Sequence, residues 1–415
     1  MKIYLVGGAV RDQLLNLPVN ERDWVVVGAK PSDMLDQGYR QVGRDFPVFL
    51  HPQTQEEYAL ARTERKFGSG YIGFSCYAAP DVSLEEDLQR RDLTINAIAQ
   101  AEDDSLIDPY GGQADLSAKI LRHVSPAFVE DPVRILRVAR FMARFGPLGF
   151  QVAPETVTLM QTMVENGEVN ALVAERVWQE TWRALLEPQP KQFFNTLRSC
   201  GALAVLFPEL DKLYGVPANA VTHPEVDTGV HVMLVLQQAA LLTHDGAARF
   251  AALVHDVGKG LTPQNLWPKH TGHETAGVAL VKKLCDRYRI PRSYRDLAIL
   301  TTRYHGQCHR VTELTAEELL EILEAFDVFR RPKNFELFLL ACEADSRGRI
   351  GYENAPYPQK DYFQTVYKTA AQVMLQPLLD SGLQGQAIAI ELRQQRLKAI
   401  IECQLLTQHG SQGIV

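Results

Sequence analysis

The sequence predicts a multidomain protein: an N-terminal mixed α/β domain, then an all-α neck and body, then a second all-α domain. Three observations carry that expectation. Short β-branched runs alternate with helical patterns over roughly the first hundred residues. Beyond about Asp131 the strand signals fade and helical periodicity takes over. A later helical block carries an adjacent His255-Asp256 pair of its own.

The elements follow in order. Residues 3–6 form an apolar run that ends at Gly7-Gly8, and a helical pattern runs on through Leu15. Residues 23–27, 47–50 and 58–62 read as strands, and the glycine-rich stretch 67–73 as a flexible loop. Helices dominate from there, with breaks near Pro147, Pro188, Pro208 and Pro217. Expected boundaries are 1–130 for the α/β head, 131–220 for the neck and body, 221–350 for the second helical domain and 351–415 for a helical tail.

Composition narrows the function. At 415 residues the chain has room for about two to four domains with sizeable cores. Hydrophobic content of 46% and charged content of 22% are ordinary for a globular protein. No apolar run approaches the length of a membrane span, and the start of the chain lacks a signal-peptide layout. Six scattered cysteines without a Cys-x-x-Cys pair fit a reducing cytoplasm and argue against structural zinc. A net charge of −7 argues against indiscriminate polyanion binding, yet leaves room for a local basic face.

That face is built from several motifs. Gly7-Gly8 between a strand and a helix lets the backbone approach a phosphate, with Arg11 one turn further on. Glu21 and Asp23 are separated by one residue; on a strand they would share a face, as two metal ions at a triphosphate require. Alone, the glycines suggest an ordinary turn and the acids a solvated pair. Together they form the plan of a nucleotidyltransferase. Arg90-Arg91-Asp92 adds guanidiniums suited to bidentate phosphate contact, or else simply a charged helix start. After Asp131-Pro132, Arg134, Arg137, Arg140 and Arg144 recur at three- and four-residue spacing on one helix face. A solvated cationic face would be the ordinary explanation. With no acid at i±4 of Arg137, Arg140 or Arg144, however, these arginines would repel one another unless an anion lies nearby. Asp131 and Arg134 also offer complementary edges of the kind that read a base.

These motifs, in order, resemble those of the class II CCA-adding enzymes (tRNA nucleotidyltransferases). Glu175-Arg176 through Glu180 resembles the next motif of that family, with Arg176 and Glu180 at i, i+4 on a helix. The resemblance implies that Gly8, Arg11, Arg91, Arg137 and Arg140 contact the nucleotide and that Glu21 and Asp23 bind Mg²⁺. It also implies that Asp131 and Arg134 select C and then A. The family commonly has Asp-x-Asp where this chain has Glu21-x-Asp23, so looser metal geometry is expected. Two rivals remain. A bacterial poly(A) polymerase shares the N-terminal motifs, though the acidic total and the second helical block argue against it. A regulator with degenerate metal sites would have lost carboxylates that are present here in Asp23, Asp92 and Asp256.

The later block resembles the HD phosphohydrolases of gammaproteobacterial enzymes of this type. On that resemblance His231, His255, Asp256 and Asp345 bind a divalent transition metal, nickel being one candidate. Lys259 is left between a phosphate contact and a helix C-terminus. His270, His273, His305 and His309 are left between a second metal, substrate contact and plain exposure. The partners implied are tRNA, CTP and ATP. No obligate protein partner and no membrane are implied, and the assembly is a monomer or a homo-oligomer.

Overall fold

The computed structural model describes residues 1–42, 48–66, 74–220, 223–381 and 383–411. The stretch 67–73, expected to be a flexible loop, lies outside them. The chain divides into two compact units, Met1–Phe207 and Pro208–Val415.

Among the described residues the first unit opens on nine strands: β1 (Lys2–Val6), β2 (Asp23–Val27), β3 (Arg40–Val42), β4 (Val48–Leu50), β5 (Glu57–Leu60), β6 (Thr63–Lys66), β7 (Phe74–Tyr77), β8 (Ala99–Gln100) and β9 (Leu106–Ile107). Seven of them form one mixed sheet in the order β3-β4-β5-β2-β1-β8-β9, while β6 and β7 pair separately. β2 lies antiparallel to β1 and parallel to β5, which makes it central. Because successive strand residues point to opposite faces, Val25 packs with Val6, Leu88 and Ala97. Val26 packs on the other side with Met34, Phe49 and Leu60. Both faces are covered, which is why the strand reads as a continuous β-branched run.

Helices then follow: Val133–Phe145, Pro154–Glu165, Ala174–Leu186 and Lys191–Ser199. The first packs against the last two. Its buried Ile135, Leu136, Val138 and Ala139 face a core that includes Phe193 and Phe194. The sequence reading has no strands beyond the head, yet Gln151–Val152 pairs in parallel with Ile120–Leu121. Two residues are too few for any period-2 signal to register.

The second unit is helical. Thr228–Leu242, Gly246–Val254, His273–Arg287, Arg292–His309 and Pro332–Arg347 pack into a bundle. Asp227 and Asp245 cap the first two by accepting from Val230 N and Ala247 N at 2.9 Å each. Ala316–Ala325, Pro358–Ala371 and Gln386–Ser411 complete it, the last lying against the other two. Among the described residues no helix is long and apolar enough to cross a membrane.

Candidate functional site

In the first unit a cavity of about 650 Å³ opens where β1 meets its following helix, Gly8–Leu14. Gly8, Arg11, Glu21, Asp23, Arg91, Asp131, Arg134, Arg137 and Arg140 all line it. Gly7 has φ +71°, and a Cβ there would stand 2.8 Å from Arg91 Nη1. Only glycine permits both the turn and the close approach of that guanidinium.

Glu21 is not on a strand, contrary to the sequence reading. β1 turns away at Gly7, so its ladder with β2 ends at the Val6–Asp23 pair, and Glu21 precedes it in irregular backbone. Strand alternation therefore does not account for the pairing of the two acids, although both reach the cavity. Desolvation raises the Asp23 carboxyl above its usual value, opposed by Arg91 and reinforced by the charge of Glu21. A carboxyl whose ionisation is opposed by burial and by a neighbouring acid is suited to receiving a cation.

The arginine face also needs correction. No anion is required to relieve its repulsion, because distant parts of the first unit supply acids. Arg137 Nε donates to Asp92 Oδ2 at 2.6 Å, Arg140 Nε to Glu180 Oε2 at 2.6 Å, and Arg144 Nη2 to Asp12 Oδ2 at 2.9 Å. Arg134 donates to two backbone carbonyls, Ala127 O at 2.7 Å and Arg90 O at 2.5 Å. Arg11 donates from Nε to Asp12 and from Nη1 to Asn96 Oδ1, and its guanidinium lies over the Phe141 and Phe145 rings. Burial alone would raise the Asp92 carboxyl. Arg137 beside it and a hydrogen bond from Asn96 bring it well below the usual carboxylate range.

Arg176 clamps Asp131 with two hydrogen bonds, 2.9 and 2.7 Å, and Glu180 takes Arg140. Arg90 caps the C-terminus of Leu84–Gln89, both arginines donate to buried Asp87, and Asp92 precedes a short 3-10 helix, Thr94–Asn96. Asp12, Asn96 and Glu180 have no role that the sequence alone assigns. Nothing in local spacing announces partners from 40 to 132 residues away.

In the second unit, His255 and Asp256 sit where the helix Gly246–Val254 ends and passes into a tighter turn over Val257–Leu261, not inside the helix. His231 comes from Thr228–Leu242 and Asp345 from Pro332–Arg347, and all four side chains converge. His231 Nε2 lies 2.9 Å from Asp345 Oδ1; His255 Nε2 lies 3.3 Å from Asp256 Oδ2 and 3.5 Å from Asp345 Oδ2.

The histidines left open are not exposed. His270 and His305 are buried, and His273 nearly so. His273 Nε2 stands 3.2 Å and His305 Nε2 3.5 Å from Asp256 Oδ1, so that carboxylate lies between two imidazole groups. Gly258 makes this possible, since a Cβ there would overlap His273 O at the start of the next helix. His270 is structural, bonded to Thr262 and Pro217 O. Lys259 Nζ contacts Asp256 Oδ2 at 2.6 Å.

This cluster fits metal ions. His255, His273 and His305 each tie Nδ1 to a backbone carbonyl, of Ala252, His270 and Thr302 respectively. A carbonyl only accepts, so Nδ1 carries a proton, and Nε2 faces inward as the nitrogen that can bind a cation in place of a second proton. His255 Nε2 and Asp256 Oδ1 are fully buried without a hydrogen-bond partner. Their atoms, with those of His231, His305, His273 and Asp345, fall into overlapping groups spanning no more than 4.8 Å. Burial would depress the His255 imidazole, but Asp256 and Asp345 raise it to about 10. The pocket thus takes up a positive charge when no cation supplies one. Glu225 went unnoticed in the sequence because it lies in irregular backbone. Its Oε1 is 2.9 Å from His231 Nδ1, off the line of a hydrogen bond for either atom.

The fold and these sites define a metal-dependent nucleotidyltransferase joined to an HD domain. The Poly A polymerase head domain family matches residues 3–122, the probable RNA and SrmB-binding site of polymerase A matches 149–214, and the HD domain family matches 228–330. The chain is 62% identical over 400 residues to the multifunctional CCA protein of Thioalkalivibrio sulfidiphilus, covering 96% of this chain and 98% of that one. It is 61% identical, with the same coverage, to that of Nitrosococcus oceani. The chain belongs to the multifunctional CCA protein family. Its fold is also that of the Thermotoga maritima CCA-adding enzyme complexed with tRNA (TM-score 0.62, 20% identity, 98% of this chain and 91% of that one). The Bacillus stearothermophilus CCA-adding enzyme in complex with CTP is equally similar (TM-score 0.62, 22% identity, 94% and 87%).

Proposed function

We propose that the chain builds and repairs the 3′-terminal CCA of tRNA from CTP and ATP in the cytoplasm, and that its HD unit clears phosphates from damaged RNA ends. The tRNA 3′ hydroxyl attacks the nucleotide α-phosphate, the new phosphodiester forms, and pyrophosphate leaves. Glu21 and Asp23 hold Mg²⁺, which when bound supplies charge to the attacking hydroxyl and to the leaving group. Gly8, Arg11, Arg91, Arg137 and Arg140 hold the triphosphate. Asp131 and Arg134 read the incoming base, with Arg176 fixing the orientation of the Asp131 carboxylate. The single observation that carries this reading is one cavity lined by both acids and by all of these arginines.

In the HD unit His231, His255, Asp256 and Asp345 hold a divalent transition metal, nickel being one candidate. Asp256 with His273 and His305 forms a position for a second ion. The bound metal supplies an activated water for a 2′,3′-cyclic phosphate or a 2′-phosphate. A cyclic phosphate occupies the 3′ oxygen and leaves no free 3′ hydroxyl, so it must be cleared before addition.

The test is incubation of the purified chain with a tRNA lacking CCA and with labelled CTP and ATP. The product should lengthen by C, C and A. A poly(A) polymerase, the name carried by the matching head family, would instead ignore CTP and extend with A alone.

A further inference from the structure

The segment that follows the HD bundle sends one side chain back toward the metal cluster. Tyr357 caps the helix Pro358–Ala371 at its N-terminus and is buried. Its hydroxyl lies 2.9 Å from His309 Nδ1, and His309 Nε2 lies 2.7 Å from Asp345 Oδ2. One ion pair holds the segment in place, Lys360 Nζ to Glu343 at 2.7 Å, and Arg347 Nη2 steadies Glu343 at 2.8 Å one turn along its own helix. Arg347 Nε also donates to Ala355 O at 3.1 Å. The residues matched as an HD domain end at 330, so both Asp345 and Tyr357 lie beyond them.

The direction of each hydrogen bond follows from counting protons. An ionised carboxylate only accepts, so the proton between His309 and Asp345 belongs to His309 Nε2. With that one proton on Nε2, the His309 ring offers a lone pair on Nδ1, which accepts the hydrogen bond from the tyrosine hydroxyl. The hydroxyl is also 3.5 Å from Cys308 Sγ, a weaker acceptor at longer range, and one proton serves only one of them. Burial pushes the Tyr357 hydroxyl far above its ordinary value, so the proton is present at any working pH.

His309 falls in none of the ligand groups, although it touches a member of one. We propose that Tyr357 and His309 form a positioning pair for the HD metal site: the tyrosine fixes the His309 tautomer, and His309 fixes the Asp345 carboxylate with Oδ2 occupied and Oδ1 turned toward His231. Outer hydrogen bonds of this kind orient metal ligands and set affinity. The inference rests on the proposed metal-binding role of the HD cluster and assigns part of that site to the chain beyond the bundle.

The test uses the full chain loaded with Co²⁺, whose visible absorption reports ligand geometry. Tyr357→Phe removes one hydroxyl and keeps the ring. It should weaken Co²⁺ binding about tenfold and alter the absorption band, with CCA addition in the same preparation unchanged. His309→Ala should do at least as much. In the His309→Ala background, adding Tyr357→Phe should change affinity less than about twofold, because the tyrosine acts through the histidine. An unchanged band and affinity in Tyr357→Phe would overturn the proposal. So would a full tenfold effect persisting without His309, which would mark Tyr357 as a packing residue. If the unaltered chain bound no Co²⁺ at all, the metal reading of the cluster would fall first and the positioning pair with it.

Discussion

The two units prepare for opposite charges, and they do so in opposite ways. In the first, the cavity arginines come with acceptors already in hand: Asp92 for Arg137, Glu180 for Arg140, Asp12 for Arg144 and carbonyls for Arg134. In the second, His255 Nε2 and Asp256 Oδ1 are buried with no hydrogen-bond partner. The difference reflects valence. A guanidinium has five N–H donors, so an internal carboxylate can use one and orient the rest toward an anion. An imidazole nitrogen has a single lone pair, and a partner that consumed it would abolish the ligand. A preorganised anion site can therefore look saturated, whereas a preorganised cation site must look incomplete.

Several substitutions would break or sharpen that contrast. The largest effect belongs to Asp23→Asn, which keeps the shape and removes the charge. Nucleotide addition should fall by at least about 10²–10³-fold, a scale set by losing one preorganised electrostatic group. Hydrolysis of a cyclic phosphate by the same preparation should stay near normal. Substantial residual addition would mean that Glu21 suffices for the metal.

Next comes Glu180→Ala. It leaves Arg140 buried without its carboxylate, a change that costs about 3–5 kcal/mol when a buried pair is broken from one side. Thermal unfolding should show the loss in the first unit, with Co²⁺ binding by the second unaffected. Full stability would mean that the arginine finds water and that the internal partner is dispensable.

Arg176→Lys is subtler. Lysine keeps the charge but cannot make the paired contact to Asp131. Base choice should loosen by about 1–3 kcal/mol, the worth of a bidentate base contact, admitting UTP or GTP. If addition slowed equally for all nucleotides, Arg176 and Asp131 would be phosphate-site residues. His273→Gln should have the smallest effect. It should weaken binding of a second metal equivalent and spare the first, and loss of both equivalents together would merge the two positions into one.

Much of this was legible in the sequence because it is local. Gly7-Gly8, the arginine spacing from Arg134 to Arg144 and the adjacent His255-Asp256 pair each announce an element and a chemistry within a dozen residues. What sequence could not supply is partnership across the fold. Glu21 and Asp23 looked like strand neighbours, but the strand begins only at Asp23 because its partner bends away at Gly7. The arginine face looked unpaired because its acids arrive from other helices and loops. His273 and His305 could not be told from surface histidines until Gly258 brought one helix against the turn that carries Asp256. Tyr357 had no signal at all: a tyrosine before a proline reads as a helix start and nothing more.

The central claim is that each unit performs its own chemistry with its own residues. The most direct measurement follows His255→Ala and Asp256→Ala on two substrates, an undamaged tRNA lacking CCA and the same tRNA ending in a 2′,3′-cyclic phosphate. Both variants should complete CCA on the undamaged tRNA at the normal rate, and both should fail on the blocked one until a separate phosphatase clears it. Loss of addition on the undamaged tRNA, with circular dichroism unchanged, would contradict the account and make the HD cluster part of the addition machinery.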